Sequence, residues 1–424
     1  CLGCTNCIKR CPTEAIRVRE GKAQIISERC IDCGECIRVC PHHAKKARYD
    51  HLSVLEGWKY KIAIPAPALF GQFNNLDDID IVLTGLKQMG FDDVYEVSRG
   101  AELVSDATRK LMADGRLPKP VISSACPAVV RLIRVRFPDL CDHVLNLNAP
   151  MEVSAMMAKR AASERTGIPV EEIGAFFITP CPAKVTDIKM PIGTEGSWCD
   201  GAIAISEVFP LLSHRMDKLE TVEPIGQSGL IGVSWAGSGG ESAALLNEKY
   251  LAADGIENVI RVLEELEDER IRELDFVELN ACSGGCVGGV LCVENGYVAK
   301  ARLQRLRKYL PVSQNHLDGG VPRDMEWTEP LEFAPVLKLS QNLEEAMQMM
   351  EEIDVICEGL PGLDCGSCGA PSCRALAEDV VKGVARTSDC VFVMREQVKN
   401  VADTLSSIGG YVPSYLDSKE KQGN

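Results

Sequence analysis

Glu278-Leu-Asn-Ala-Cys-Ser-Gly-Gly-Cys-Val-Gly-Gly289 is the stretch around which the chain is organised. The apolar run that begins at Phe276 predicts a β-strand that leads Cys282 into a glycine-rich turn, and Cys286 follows four residues later. Glycine permits positive φ angles and lets the backbone approach an inorganic core that a Cβ would collide with. Two thiolates on such a backbone suit an iron-sulfur cluster, although two buried small residues in a loop would give the same local pattern.

Composition narrows the class of protein. An apolar content of 46% over 424 residues is enough for two or three domains with filled cores, and no run of about 18 uncharged apolar residues could span a membrane. The net charge of −15 argues against nucleic acid, because phosphate binding needs a basic stripe. Most of the 20 cysteines cluster in metal-ligand spacings, which favours a cytoplasmic, low-oxygen metal protein over a secreted disulfide scaffold. The first residue is Cys1 rather than a methionine, and the sequence leaves open whether residues precede it.

Residues 1–50 contain an internal repeat, in which Cys-x2-Cys-x2-Cys-x3-Cys-Pro occurs twice. Two such runs are typical of bacterial ferredoxins with two 4Fe-4S clusters, where the fourth cysteine of each run ligates the other cluster. Zinc is the alternative, and the Cys-Pro endings weigh against it. We therefore expect an α+β domain with a small hairpin between the runs, one cluster on Cys1, Cys4, Cys7 and Cys40, and a second on Cys30, Cys33, Cys36 and Cys11.

From about residue 58, strand-like apolar runs alternate with helical stretches at 78–89 and 152–163, which predicts an α/β fold with parallel sheets. Three of the runs lead directly into a cysteine, at Cys126, Cys181 and Cys282. Ligands of open α/β sheets gather beyond the carboxyl ends of strands, so these thiols and Cys286 predict one more cluster between two sheet lobes. The expected strands are 61–64, 94–97, 121–122, 175–178, 202–205 and 276–279.

Three segments resemble the cysteine signatures of the H-cluster domain of iron-iron (FeFe) hydrogenases. Ser123-Ser-Ala-Cys126-Pro is similar to Thr-Ser-Cys-Cys-Pro, and Thr179-Pro-Cys181-Pro-Ala-Lys184 is similar to Met-Pro-Cys-x-x-Lys. The opening stretch is similar to Glu-x-Met-Ala-Cys-x-x-Gly-Cys-x-x-Gly. Trp235-Ala-Gly-Ser-Gly-Gly240, where the family commonly has Phe-Gly-x-Thr-Gly-Gly, is expected to form a close-packing turn beside the metal site rather than a phosphate-binding loop.

The resemblance implies an H-cluster, which joins a 4Fe-4S cubane to a two-iron subsite carrying CO, cyanide and a dithiolate amine. Lys184 matches the lysine that holds a cyanide, and a buried ammonium suits an anionic ligand. Pro65 and Ala66 correspond, to within one or two residues, to the Ala-Pro-Ser segment beside the distal iron. The implied iron ligands are Cys126, Cys181, Cys282 and Cys286, with Cys286 as the bridge.

The sequence departs from the family around this centre. Ala125 replaces the free cysteine that passes protons to the amine, and an alanine cannot carry a proton, so either water replaces the cysteine or turnover is slow. Asp187 replaces a glutamate that the family uses as an acidic relay. The combination resembles the sensory type of FeFe hydrogenase. The remaining differences, at positions expected to tune the cofactor without ligating iron, are Thr179, Asn280, Met151 and Trp235.

The C-terminal region contains a further cysteine run after a helical stretch at 342–353, and a second helical stretch follows at 392–407. Its spacing, Cys-x2-Cys-x4-Cys-x16-Cys, resembles the small iron-sulfur domain of Rnf-type electron carriers. Zinc is again the alternative. The other four cysteines, Cys141, Cys199, Cys292 and Cys357, are expected to be buried small hydrophobic residues. The expected ligands of this third accessory 4Fe-4S cluster are Cys365, Cys368, Cys373 and Cys390.

These inferences predict four segments, namely a two-cluster domain at 1–52, an H-cluster domain at 53–320, a linker and helix at 321–352, and an iron-sulfur domain at 353–424. The predicted function is reversible oxidation of dihydrogen, with slow turnover and a hydrogen- or redox-sensing role. A non-catalytic iron-sulfur carrier or assembly protein is the alternative. Expected partners are an electron carrier such as ferredoxin, a signalling kinase or phosphatase, and a second copy of the chain.

Overall fold

The computed structural model describes residues 1–336 and 338–409, with side chains described as far as Ser407. Contacts divide the chain into two compact units. Unit 1 combines Cys1–Glu28 with the described part of Leu337–Asn424, and unit 2 is Arg29–Val336. The two cysteine runs of the N-terminal repeat therefore belong to different units. The domain limits expected from the sequence stay predictions.

The strands and helices follow one another in a largely alternating order. The strands are β1 (Ile16–Arg19), β2 (Lys22–Ile25), β3 (Tyr60–Pro65), β4 (Asp93–Val94), β5 (Val121–Ile122), β6 (Ile173–Thr179), β7 (Gly201–Ala204), β8 (Tyr250–Asp254) and β9 (Phe276–Asn280). The helices are α1 (Asn6–Lys9), α2 (Glu35–Arg38), α3 (Ile79–Lys87), α4 (Val97–Ala113), α5 (Pro127–Arg136), α6 (Pro150–Thr166), α7 (Pro182–Lys189), α8 (Ile205–Met216), α9 (Leu230–Ser234), α10 (Gly240–Ala244), α11 (Ile256–Glu267), α12 (Gly296–Leu306), α13 (Leu343–Glu358), α14 (Cys373–Val381) and α15 (Val391–Gly409).

Unit 2 contains two parallel sheets. The larger has the strand order β4-β3-β6-β7, and β3 pairs with β6 from Tyr60 opposite Ile173 to Pro65 opposite Ile178. The smaller has the order β5-β9-β8. Every residue of β6 is buried, as expected for a parallel strand covered on both faces by helices. The prediction of an α/β fold with two parallel-sheet lobes is confirmed.

Three details differ from the strand prediction. The run expected at 202–205 is one residue too long, because Ile205 is the first residue of α8. β4 covers only Asp93–Val94, and Val97 is the first residue of α4, because Glu96 already has the extended conformation of a helix N-cap. The sequence also missed β8, which lies at the edge of the smaller sheet. Tyr250 is exposed and the strand alternates only weakly in burial, so its composition carries little strand signal.

Glycines bring helices close together beside the larger sheet. A Cβ added at Gly100 of α4 would lie 2.3 Å from the hydroxyl oxygen of Ser154 on α6. A Cβ added at Gly232 of α9 would lie 2.0 Å from the carbonyl oxygen of Ser98 on α4. Neither position leaves room for a side chain, so α4, α6 and α9 pack at short range. This packing fixes the N-terminus of α6 and the loop after α9, both of which border the candidate site.

Unit 1 contains the predicted hairpin and the C-terminal helices. β1 pairs with β2 in antiparallel fashion from Ile16 opposite Ile25 to Arg19 opposite Lys22. Glu20 and Gly21 connect them with φ angles of 51° and 71°, the positive values that a two-residue hairpin turn of this type requires. Ile353 of α13 and Leu376 of α14 lie in the small core of the C-terminal helices.

The N-terminal repeat is visible in the backbone as well as in the sequence. The residue before the second cysteine of each run, the residue after it, and the third residue after the fourth cysteine all have positive φ angles. Such matched left-handed positions indicate the same local turn geometry in both runs. The positions are Gly3, Thr5 and Glu14 in the first run and Asp32, Gly34 and His43 in the second.

Within the described residues, no helix is both long enough and apolar enough to cross a membrane.

Candidate metal centre

Three of the expected ligands follow strands of the two sheets. Cys126 comes after β5, Cys181 after β6 and Cys282 after β9. Cys126 and Cys181 are the N-cap residues of α5 and α7, and a proline is the first residue of each helix. Proline fits there because the first N–H groups of a helix have no partner within it. The partial positive charge at each helix N-terminus favours a thiolate over a thiol.

The glycines of the 278–289 stretch allow three loops to meet. A Cβ at Gly285 would lie 2.4 Å from the backbone nitrogen of Ser238, and a Cβ at Gly289 would lie 2.2 Å from the carbonyl oxygen of Pro180. A side chain at either position would separate the loop that carries Cys286 from its neighbours. The turn at 235–240 therefore packs closely against this stretch, as the sequence predicts.

The four thiols interact electrostatically in an environment that is buried at Cys282 and partly buried at the other three. Burial raises the pKa of Cys181 to about 12, and the neighbouring Cys126 and Cys286 add to the effect while Lys184 opposes it. Burial also raises the pKa of Cys282 well above its ordinary value, with further contributions from Cys181, Cys126 and Cys286. Metal-free, such thiols keep their protons, and bound iron would replace those protons with its own charge. This set of soft, buried donors therefore fits an iron-sulfur group.

Lys184 lies among these thiols. It follows Cys181 by three residues on α7, and its ammonium donates a hydrogen bond to the backbone carbonyl oxygen of Ala125 at 2.7 Å. Burial by itself would lower the pKa of Lys184, but the negative charge that Cys286, Cys181 and Cys126 carry when ionised outweighs burial and raises it. The side chain is therefore a partly buried cation placed between the first and second cysteine segments.

A cavity beside the thiols contains most of the predicted cofactor-contacting residues. The space free of protein atoms is about 580 Å³, part of it open to solvent. Its walls are mainly apolar, with Lys184 and two glutamates as the charged groups. A cavity of this kind could accept a compact group that carries anionic ligands. The predicted residues on its wall are Ala66, Ala125, Met151, Lys184, Trp235, Asn280 and Cys286.

Three residues predicted to contact the cofactor do not line this cavity, namely Pro65, Thr179 and Asp187. Pro65 is the last residue of β3 and pairs with Ile178, and the wall of the cavity is formed one residue along, by Ala66 and Pro67. Thr179 is fully buried, and its hydroxyl accepts a hydrogen bond from the backbone nitrogen of Cys181 at 3.1 Å. Thr179 therefore braces the turn that carries Cys181.

Asp187 lies one helical turn beyond Lys184 on α7. Burial raises its pKa to about 6, although Arg131, 3.9 Å away, and Lys184 both lower it. Its carboxylate faces the guanidinium of Arg131, and it contributes to the charge that Lys184 experiences. Asp187 therefore does not line the cavity, and its carboxylate acts on Lys184 by raising the pKa of the ammonium.

Sequence reasoning did not assign roles to two glutamates on the cavity wall. Both carboxylate oxygens of Glu241 accept hydrogen bonds from the Ser123 hydroxyl, at 2.8 and 2.7 Å. Burial and the nearby Glu278 carboxylate raise the pKa of Glu241 to about 8. Glu278 accepts from the backbone nitrogens of Gly239 and Ser242, each at 2.9 Å. A carboxyl with the pKa of Glu241 can bind and release a proton near neutral pH.

The C-terminal module has a cavity of its own. It measures about 280 Å³ and is lined by all four cysteines expected to hold a cluster. Gly366 on its wall has a φ angle of 76°, and Cys390 lies between Asp389 and the start of α15. Four thiols around one small cavity are the donor set of a 4Fe-4S cluster. The lining cysteines are Cys365, Cys368, Cys373 and Cys390.

Backbone N–H groups donate to several thiols of the N-terminal repeat. In unit 1, Ala15 donates to the sulfur of Cys11 at 3.2 Å and Ala23 to that of Cys1 at 3.3 Å. In unit 2, Ala44 donates to Cys40 at 3.3 Å, and this bond is the largest of the effects that lower the pKa of Cys40. Such N–H···S bonds stabilise thiolates and tune the potentials of iron-sulfur clusters.

The four cysteines outside the expected ligand sets differ in burial. Cys141 and Cys199 are buried, and Cys292 and Cys357 are partly buried, so the prediction of buried small residues is met in full only by the first two. Across residues 1–336 and 338–409, no group of three or more histidine, cysteine, aspartate or glutamate side chains is arranged to hold a metal ion.

Comparison with protein-family models gives three matches. The model described as iron only hydrogenase large subunit, C-terminal domain, matches residues 59–250 and 241–290. A 4Fe-4S dicluster domain matches residues 1–44, and an Fe-S cluster model matches residues 360–392.

Individual proteins are similar over parts of the chain. The NADP-reducing hydrogenase subunit HndD of Solidesulfovibrio fructosivorans is 22% identical over 345 residues, which is 68% of this chain and 55% of that protein. The cytosolic Fe-S cluster assembly factor nar1 of Aspergillus terreus is 30% identical over 99 residues, 23% of this chain and 16% of that protein. The chain thus spans about half the length of the hydrogenase relative. A variant of the FeFe hydrogenase HydA1 from Chlamydomonas reinhardtii has a similar fold, with a TM-score of 0.51 and 17% identity over 65% of this chain and 95% of that one.

Proposed function

Because the chain belongs to the family of iron-only hydrogenase large subunits, we propose that it is an FeFe hydrogenase of the sensory type that interconverts dihydrogen with protons and electrons. One observation carries the proposal. The partly buried Lys184 ammonium donates a hydrogen bond to the carbonyl oxygen of Ala125 in a cavity that also contains Cys286. A protein that only stored or carried a cubane would have no evident need for a cation on the wall of this cavity.

The residues present fit an H-cluster. Lys184 would bind a cyanide ligand through a charge-assisted hydrogen bond. When bound, the cofactor supplies the iron on which dihydrogen is split heterolytically and the amine that accepts the proton. Ala66, Pro67 and Trp235 form apolar parts of the wall, which limit the access of water to the site. The cubane would be held by Cys126, Cys181, Cys282 and Cys286, with Cys286 as the bridge.

Proton transfer is where this chain differs from its family. Ala125 lines the cavity but offers no group that can exchange a proton. The Glu241 carboxyl lines the same cavity and is hydrogen-bonded to Ser123, two residues before Ala125. We propose that Glu241 holds the transferred proton in place of the missing thiol. Turnover is slow because the proton passes through Ser123 and Glu241 rather than through a cysteine that exchanges it directly with the cofactor amine.

Electrons would leave through accessory clusters. Each dihydrogen yields two protons and two electrons, and the three accessory 4Fe-4S clusters assigned to this chain would accept the electrons one at a time. The C-terminal cavity lined by four cysteines supports the third of these clusters. Slow turnover combined with an additional cluster suits a hydrogen- or redox-sensing role better than bulk hydrogen metabolism. A ferredoxin is the expected recipient of the electrons, or a signalling kinase or phosphatase the expected recipient of the signal.

A non-catalytic role remains the second candidate, favoured by the similarity of 99 residues to a cytosolic Fe-S cluster assembly factor. A carrier or assembly protein would bind the cubane but no two-iron subsite. The two candidates therefore differ in whether CO and cyanide are present on the loaded protein.

Infrared spectroscopy distinguishes the hydrogenase from the non-catalytic candidate. The chain is produced with the FeFe hydrogenase maturation system, and bands of bound CO and cyanide are expected in the wild type. Cys286→Ser, which removes the proposed bridge, should lose these bands, whereas Cys292→Ser, six residues away and not a proposed ligand, should retain them. A wild-type protein that has a full cubane and no such bands would establish the non-catalytic candidate.

A further inference from the structure

The C-terminal module packs against the N-terminal segment within unit 1. The backbone nitrogen of Val18 on β1 donates to the carbonyl oxygen of Gly369 at 2.8 Å. Gly369 has a φ angle of 83°, and a Cβ added there would lie 2.0 Å from the carbonyl oxygen of Val18. The loop between Cys368 and Cys373 thus adds to the free edge of the β1–β2 hairpin, and only glycine permits this approach.

Buried charges fix the contact. Asp379 on α14 accepts hydrogen bonds from Arg17 Nε at 2.7 Å and from Arg19 Nη2 at 2.5 Å. The side chains of Asp379 and Arg17 are only 8% and 6% exposed. Arg19 also donates from Nη1 to the carbonyl oxygen of Cys368, at 3.0 Å. Buried charges lose hydration, and good geometry with their partners has to offset that loss, so this ion triad defines one docked arrangement.

The surfaces that meet are the loops that carry cysteines. Lys9, which lies between Cys7 and Cys11, donates to the carbonyl oxygen of Pro371 at 3.4 Å. Gly366, between Cys365 and Cys368, lies against the side chains of Ile8 and Lys9. Ser372, next to Cys373, donates to Glu14 at 3.2 Å. The two modules therefore face each other through the loops that would surround their clusters.

We propose that the C-terminal cluster is an electron-transfer partner of the N-terminal cluster that includes Cys1, Cys4 and Cys7. In each exchange the N-terminal cluster loses one electron and is oxidised, the C-terminal cluster gains it and is reduced, and no bond or proton moves. Dihydrogen supplies the electrons under the proposed function, and dithionite supplies them in the test below. The inference rests on the iron-sulfur clusters of the proposed function but not on hydrogen turnover. Asp379 and Gly369 are its positioning residues.

Electron paramagnetic resonance of the full-length, dithionite-reduced protein tests the proposal. Two reduced clusters that lie close together are magnetically coupled, which broadens their resonance signals and speeds their spin relaxation. The N-terminal signal of the wild type should therefore be broader, and should saturate at higher microwave power, than that of Cys365→Ser, which lacks the C-terminal cluster. Identical N-terminal signals in the two proteins would overturn the proposal, whether or not CO and cyanide bands are found, so its failure is distinct from that of the hydrogenase assignment.

Two matched pairs of variants test the positioning residues. Gly369→Ala should lose the magnetic coupling at unchanged iron content, whereas Gly383→Ala should retain it, because Gly383 has a similar φ angle of 72° and open space around its Cβ position. Asp379→Asn should weaken the coupling, whereas Asp354→Asn should not, because Asp354 pairs with Arg374 on the exposed surface of the same module. Coupling unchanged in both Gly369→Ala and Asp379→Asn would refute the positioning roles. The Cys365→Ser comparison decides the proposal if either variant loses iron.

Discussion

The ammonium nitrogen of Lys184 lies 2.7 Å from the backbone carbonyl oxygen of Ala125. This hydrogen bond joins two cysteine segments that are 59 residues apart in the sequence. It places a partly buried positive charge beside the thiols that are proposed to bind iron, and its acceptor is the residue at which the expected proton-carrying cysteine is missing. The proposed anion binding and the proposed proton transfer therefore concern the same part of the cavity.

Replacement of the Lys184 ammonium by an uncharged group should weaken binding of the cofactor. Lys184→Met keeps the length of the side chain but removes the charge-assisted hydrogen bond, which contributes about 1.5 to 3 kcal/mol. We expect retention of the two-iron subsite to fall by roughly 10- to 100-fold, measured as the ratio of cyanide infrared intensity to cubane content. Lys189→Met is the matched control, because Lys189 lies on the same helix and pairs with Asp50 at the exposed surface. Equal retention in both variants would contradict the role given to Lys184.

Restoration of a thiol should speed the reaction. Ala125→Cys places an acidic proton on the cavity wall, and a positioned acid or base contributes about 10²-fold or more to a proton transfer. Hydrogen evolution with reduced methyl viologen should rise by at least about tenfold. Ala125→Ser serves as the control, since a hydroxyl is a far weaker acid and should give a smaller gain. An unchanged rate in Ala125→Cys would mean that proton delivery does not limit turnover.

Glu241 should matter for turnover more than for cofactor binding. Glu241→Gln preserves the shape and can still bond to Ser123, but an amide cannot release a proton in this pH range. Hydrogen evolution should fall by about 10²-fold while the CO and cyanide bands stay at wild-type intensity. The same substitution at Glu248, which is exposed, should leave the rate unchanged. A Glu241→Gln variant with full activity would rule out this carboxyl as the proton carrier.

Glu152 should make folding stability depend on pH. Burial, partly opposed by hydrogen bonds from Ser197 and Trp198, raises its pKa to about 7. As pH rises from about 4.5 to 7, the unfolded chain ionises at this residue while the folded protein keeps the proton, so stability falls by about 3 kcal/mol over the interval. Glu152→Gln should remove this part of the pH dependence.

Chemical denaturation of both proteins at pH 5 and pH 8 measures this effect. The difference in stability between wild type and Glu152→Gln should shift in favour of the variant at pH 8. Other titrating groups contribute equally to both proteins and cancel in the comparison. A difference that does not change with pH would show that Glu152 ionises as readily in the folded protein as in the unfolded chain.

The C-terminal cavity predicts a specific loss of iron. Cys390→Ser removes one of its four thiols and should lower iron content by about four atoms per chain. Cys357→Ser is the control, since Cys357 lies on α13 and is not among the cysteines that line the cavity. If Cys390→Ser retained its full iron content, or lost zinc in place of iron, the assignment of a 4Fe-4S cluster to this module would fail.

The spacing of cysteines and the periodicity of apolar residues predicted much of the fold, because both reflect the local geometry of turns and strands. The runs at 61–64, 121–122, 175–178 and 276–279 all lie within observed strands, since continuous apolar segments bounded by turns have few other ways to be buried. The repeat of cysteines is mirrored by matched positive φ angles. The edge strand β8 was missed, because the identity of an edge strand depends on its neighbour more than on its own residues.

The sequence by itself determined the cysteine spacings, the parallel sheets and the family, because each depends on residue types at fixed short spacings. Only the tertiary structure decided that Ala66 and Pro67 form the cavity wall and that Ser123 bonds to Glu241, 118 residues away. It also decided that Asp379 of the last module holds Arg17 and Arg19 of the first strand. Contacts between distant segments are fixed by packing and by the burial of charge, and no short pattern in the chain records them.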